Sequence, residues 1–150
     1  MWTKMNNFAN ESFKRLSPEK QDRILKAAIA EFAERGYELA NTNRIAKRAK
    51  ISVGSIFHYF TTKENLFLYI VQYGSAMIEE YAGKVVDDET LTVAQKIEAL
   101  LRLAVKSSRE EETLIRLYHE TSSIGNQELV SKLPRSLEQF TSERYIKMLE

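Results

Sequence analysis

Apolar residues recur along this chain at spacings of three and four, and the strict alternation of a half-buried strand is scarce. That pattern predicts an all-α protein. Leu25, Ala28, Ile29 and Phe32 form the first buried stripe. Ser17 caps that helix, with Pro18 at its first position, where a missing N–H costs nothing. Gly36 closes it by taking the left-handed region, and Tyr37 folds back on it. A second, very short helix follows a cap at Asn41 or Thr42. It turns Ile45, Ala46 and Ala49 inward and Arg44, Lys47 and Arg48 outward. At about two turns it is too short to stand alone and must lean on its neighbours.

Ser52 caps a third helix, with Gly54 and Ser55 in its first turn. Ile56, Phe57 and Phe60 are expected on its core side, leaving Val53, Ser55, His58 and Tyr59 outside. Thr61-Thr62-Lys63-Glu64 matches a capping box, with Thr61 as cap and Glu64 reaching back. It opens a longer helix, to about Gly83, that buries Leu66, Phe67, Ile70, Val71, Met77 and Ile78. Asp87 to Thr90 reads as a loop. A helix from about Thr92 then carries Ile97, Leu100, Leu101, Ala104 and Val105. Further helical patterning spans Leu114 to Tyr118, and a last helix from about Ser136 holds Leu137, Phe140, Ile146 and Leu149. That helix is still in mid-pattern at Glu150, so the chain is expected to be incomplete there or to be a compact variant.

The composition narrows the chemistry. Hydrophobic residues are 43% of the 150, enough for a packed core. Cysteine is absent, which excludes disulfides and thiolate metal sites and fits a reducing cytoplasm. No apolar run is long enough to span a membrane. The formal net charge of +1 conceals an asymmetry: residues 1–64 carry +5 and residues 65–150 carry −4. Within it, Leu39 to Lys63 contains Arg44, Lys47, Arg48, Lys50 and Lys63 with no Asp or Glu. Two short amphipathic helices beside a carboxylate-free basic surface suit a phosphate backbone.

Helix, tight turn, helix with small polar residues at the second N-terminus is the helix-turn-helix arrangement. Gly54 lets a backbone approach a phosphate or a base edge. Ser52 and Ser55 offer hydroxyls at the positive end of the helix dipole. Tyr59 and Lys63 are longer donors flanking the groove, and Arg44 is expected near it.

The run from Ile24 to Phe67 resembles the DNA-binding domain of the tetracycline-repressor (TetR) family. The matching pieces are ILKAAIAEFAERGY, TNRIAKRAKISVGSIFHYF and TTKENLF. The resemblance implies a homodimer whose two recognition helices enter successive major grooves of a pseudo-palindromic operator. It also implies a C-terminal helical domain that binds a small effector. On this reading residues 1–16 are an extension, 17–62 the DNA-binding head, and 63–150 the effector-binding and dimerisation domain. Carried over by position, Asn41, Thr42, Asn43, Val53, Gly54, Ser55, His58 and Tyr59 fall where the family meets DNA, and Lys63 where it grips a phosphate. Val53 stands where many members have Lys or another polar residue, and Phe57 replaces a frequent Tyr.

Other readings weigh less. His58 and His119 are the only histidines, too few for a metal cluster. Glu110-Glu111-Glu112 are adjacent and do not share a helix face, so they suggest solvated surface and not paired-carboxylate catalysis. Tyr73, Met77, Tyr118 and Phe140 are candidates for an effector pocket, against the plainer reading as core. The expectation is a non-enzymatic regulator without cofactor or metal, partnered by double-stranded DNA, a second copy of itself and a small effector. Its rival is an effector-binding or protein-interaction module whose DNA head is inactive.

Overall fold

A computed structural model describes residues 8–110 and 127–132. Seven helices occupy these residues: α1 (Glu11–Lys14), α2 (Pro18–Leu39), α3 (Thr42–Ala49), α4 (Val53–Phe60), α5 (Lys63–Val86), α6 (Val93–Glu110) and α7 (Gln127–Ser131). The described residues contain helices and connecting turns and no strand, as the periodicity predicts.

Helices α2, α3 and α4 pack around one core with the first half of α5. Leu25, Ala28 and Phe32 of α2 meet Ile45, Ala46 and Ala49 of α3, Ile56 and Phe60 of α4, and Leu66, Phe67 and Ile70 of α5. Every element end in this head has a local cause. Ser17, Asn41 and Ser52 cap α2, α3 and α4 by accepting from the N–H groups of Lys20, Asn43 and Ser55. Gly36 interrupts α2 at φ 71°, and the Tyr37 ring stacks back on Phe32 at 6.2 Å between centroids. α3 ends in a left-handed residue, Lys50 (φ 55°, ψ 46°). The N–H groups of Lys50 and Ile51 turn back onto the carbonyls of Lys47 and Ala46.

Several expectations need correction. The α5 cap is Thr62, which accepts from Asn65 N–H at 3.0 Å, not Thr61. Thr61 instead closes α4 at φ 67°, ψ −46°. It is the centre of a three-residue turn in which Thr62 N–H reaches Phe60 O at 2.7 Å. Glu64, freed from a capping box, pairs with Lys132 at 2.7 Å.

Residues 1–16, set aside as an extension, in part complete the head. Phe13 of α1 is fully buried, with its ring 4.8 Å from Phe60 and 5.4 Å from Tyr69. Asn10 caps α1 with its side-chain oxygen. Its own N–H and side-chain amide donate to the carbonyls of Tyr59 and His58 at the end of α4. These are the carbonyls that a helix end leaves without partners.

α5 runs to Val86, past the predicted stop at Gly83. Thr92 and Gln95 form a reciprocal capping box at the start of α6: Thr92 N–H donates to Gln95 Oε1 at 2.8 Å and Gln95 N–H to Thr92 Oγ1 at 3.3 Å. Met77 on α5, and Ile97 and Leu101 on α6, are exposed where their stripes predicted burial. The described residues cover them only in part, Leu101 least, at 62% exposed. Leu129 of α7, by contrast, is buried in the head's own core cluster. The readings for Leu114–Tyr118 and for the helix from Ser136 fall outside the described residues.

Candidate nucleic-acid interface

The residues singled out from sequence divide into those that face outward and those the fold uses itself. At the start of α3, Asn41 and Asn43 are exposed and Thr42 half-buried. The Asn41 side chain is committed to its cap at 2.8 Å. On α4, Gly54 and His58 are exposed, while Val53 and Ser55 are half-buried. Ser52 accepts from Ser55 N–H at 3.1 Å, and the two hydroxyls lie 2.8 Å apart. The first turn of α4 therefore has its own closed hydrogen-bond system. A Cβ built on Gly54 would meet only Ser52 Oγ, at 3.8 Å. The packing does not require a glycine there.

Two aromatic placements on α4 are the reverse of the prediction. Tyr59, expected outside, is 8% exposed, with its ring 5.9 Å from that of Phe13. Phe57, expected in the core, is 46% exposed. The inward stripe runs through 56, 59 and 60, the three-and-four spacing of a helix face. The fault lay in leaving α1 out of the core: once Phe13 covers that side of α4, position 59 is interior.

Arg44 and Lys63 also hold the head together. Arg44 Nε donates to Glu31 Oε1 at 2.7 Å, and its guanidinium reaches Leu39 O at 3.2 Å. Glu31 is fully buried, and the same oxygen accepts from Asn41 N–H at 3.1 Å. One carboxylate thus fixes the entry to α3 and the side chain of its third residue. The Lys63 ammonium donates to the carbonyls of Tyr37 (2.8 Å), Glu38 (3.2 Å) and Ala40 (3.4 Å), and sits 4.7 Å above the Tyr37 ring. In this structure Lys63 is the C-terminal cap of α2, delivered by the first residue of α5. Arg48 forms a two-pronged pair with Glu34 at 3.1 and 2.6 Å. Its hydrogen bonds hold the Glu34 carboxyl below its ordinary value. Lys47 and Lys50 remain exposed, with no ion-pair partner among the described residues.

Glu31 and Asn10 escaped the sequence reading. Glu31 left a signal: it is the lone carboxylate inside the apolar stripe of Ala27, Ala28 and Phe32. Asn10 left none, since the pairing of α1 with α4 is not written in local pattern.

Of the effector candidates, Tyr73 packs half-buried against the core and Met77 lies one turn further along the same face of α5. Tyr118 and Phe140 lie outside the described residues. Among the described residues, no group of three or more His, Cys, Asp or Glu could hold a metal. No described helix is long and apolar enough to cross a membrane.

Comparison with known proteins agrees with this geometry. The sequence profile of bacterial regulatory proteins of the tetR family matches residues 24–70. The chain is 25% identical over 127 residues to the HTH-type transcriptional regulator YhgD of Bacillus subtilis, covering 81% of this chain and 65% of that protein. It is 43% identical over 69 residues to the HTH-type transcriptional repressor AcnR of Corynebacterium diphtheriae, covering 46% of this chain and 36% of AcnR. Among solved structures, the fatty acid degradation regulator FadR of Bacillus halodurans superposes with a TM-score of 0.68 at 24% identity. That match covers 85% of this chain and 66% of FadR, and at that identity it speaks for the fold alone. The chain therefore spans just under two thirds of the length of these longer matches.

Proposed function

We propose, for a chain that belongs to the tetR family of bacterial regulatory proteins by way of residues 24–70, that it is a sequence-specific DNA-binding transcriptional regulator. It acts as a repressor, released from a pseudo-palindromic operator by a small organic effector. The observation that carries this reading is the exposed first turn of α4. A Cβ at Gly54 would meet nothing nearer than Ser52 Oγ at 3.8 Å, and a glycine inside a helix costs about 1 kcal/mol relative to alanine. The fold gains nothing from it, whereas a phosphate or base edge seated on that turn needs the room. From Leu39 to Lys63 no carboxylate follows to repel such a partner.

An eight-residue reading helix spans only a few base pairs, so useful specificity needs two copies about one turn of DNA apart. The acidic helical part from α5 onward, with Tyr73 and Met77, supplies the dimer contact and the effector site. The molecule works in the cytoplasm, where its DNA is, and carries no catalytic step. The outward set for DNA is Asn41, Thr42, Asn43, Ser52, Val53, Gly54, Ser55 and His58, while Arg44 acts chiefly by fixing α3 and Lys63 by capping α2.

A mobility-shift titration against the DNA flanking its own gene tests this reading. A shifted complex that weakens steeply with salt is expected. Gly54→Leu should lose it while melting like the parent. Absence of any shift at low salt, in a chain that still dimerises, would instead favour the inactive-head reading, to which the inward-bonded Arg44 and Lys63 lend support.

A further inference from the structure

The helix that would read DNA lacks the side chains that most often do so. α4 is VGSIFHYF: no Arg, Lys, Asn, Gln, Asp or Glu. Those are the groups that make two-point contacts with guanine and adenine or accept from cytosine. Of the eight, Ile56, Tyr59 and Phe60 are buried, and the Ser55 hydroxyl is engaged with Ser52. What faces outward is Gly54, Phe57 and His58, with Val53 half-covered. Val53 and Phe57 are four apart and so lie on one face of the helix.

Phe57 is nearly half exposed on this short helix, about one turn on from Gly54. A phenyl ring offers nothing to a phosphate. The exposed apolar group on the base edges of a major groove is the thymine 5-methyl.

We infer that Val53 and Phe57 form an apolar reading pair that recognises thymine methyl groups, with Phe57 the specificity-determining residue of α4. The inference rests on the DNA-binding reading above and adds the base chemistry. Each half-site then contains one or two thymines whose methyls seat against Phe57 and Val53. The exposed Lys47 and Lys50 supply affinity that is indifferent to sequence.

The test begins with selection of duplexes from a random pool by the full chain. Each thymine of the selected site is then replaced singly by deoxyuridine, which removes the methyl and leaves pairing and hydrogen-bonding edges unchanged. Loss of one seated methyl, about 0.8 kcal/mol, should weaken binding about fourfold at one or two positions per half-site. Phe57→Ala should lose the uracil penalty at one of these positions at least, any penalty at a thymine seated on Val53 remaining, while keeping the parent's salt dependence and melting behaviour. 5-Methylcytosine opposite guanine at the same positions should recover part of the affinity lost on changing thymine to cytosine. Equal binding of thymine and uracil duplexes by the parent overturns the inference and leaves the regulator reading intact. So does a Phe57→Ala variant that keeps the full uracil penalty at every penalised position. Failure of the pool to enrich any sequence overturns both.

Discussion

Helices α3 and α4 are the same length, share one turn and bury three residues each in one core, yet only α3 is also tied down by charged side chains. α3 buries Ile45, Ala46 and Ala49, but its polar, cationic face is also held by charged groups: Glu31 grips Arg44 and the Asn41 N–H, Glu34 grips Arg48, and Arg23 Nε donates to Ala49 O at 2.8 Å. α4 carries no formal charge, and what fixes it is the burial of Ile56, Tyr59 and Phe60 between α1 and α5. The contrast changes the meaning of a charged residue here. Basic side chains on α3 were natural suspects for DNA contact, but two of the three are already bonded within the head. The outward face of the helix without charges, at Gly54, Phe57 and His58, is left exposed without any such pairing.

The largest blow to this contrast should come from the α4 side. Phe60→Ala removes a fully buried ring that touches Phe13 and Tyr69, and should cost about 3–5 kcal/mol in urea denaturation. A midpoint unchanged from the parent would mean that α4 is not anchored through this core. On the α3 side, Glu31→Ala strands the Asn41 N–H and releases Arg44. Because Arg44 is partly in solvent already, the loss should be smaller, about 2 kcal/mol. Glu31→Gln, which keeps an acceptor, should recover part of it; no recovery would show that the charge and not the hydrogen bond matters.

A smaller effect of opposite sign is expected at the end of α4. Thr61 is a β-branched residue at φ 67°, in the strained form of the three-residue turn. Thr61→Gly should raise the melting stability by about 1 kcal/mol. A drop would show that the threonine side chain contributes more than its backbone costs.

The smallest effect should be that of Arg48→Ala, whose pair with Glu34 is exposed. Stability at neutral pH should scarcely change. The Glu34 carboxyl, held low by folding, should titrate closer to its ordinary range, as NMR of its side chain would read. The sign follows from linkage: whatever the pair contributes is present above the ordinary carboxylate value and lost as pH falls through the lowered one. A Glu34 titration that ignores the substitution would remove Arg48 as the cause.

The sequence showed the head well where periodicity and caps coincide. Ser17-Pro18, Asn41 and Ser52 mark their helix starts locally, and each does in the structure what its residue type predicts; Gly36 breaks α2 at positive φ, but its ψ of 170° is not the left-handed helical value expected and α2 resumes to Leu39. It misled where a partner lies far along the chain. Tyr59 and Phe57 exchanged faces because Phe13 was not counted as core, and Thr61 lost its cap to Thr62 because α4 ends in a turn no motif announces. Lys63 shows the same limit for chemistry. Its position invited a phosphate, but the free α2 carbonyls that claim its ammonium become visible only when α2 and α5 are side by side.

One feature of the fold bears on how the molecule comes to exist in time. α2 to α4 can assemble from contacts between elements that follow one another in the chain, but Leu129 completes their core, and Lys132 reaches Glu64 from 68 positions away. Distant contacts of that kind slow a chain, because the intervening loop must be closed before the contact is rewarded. The head should therefore acquire its helices early and its last apolar residue late. Pulse-labelled hydrogen exchange would then show amides of α2 and α4 protected ahead of those of α7, and Leu129→Ala would quicken unfolding more than it slows folding.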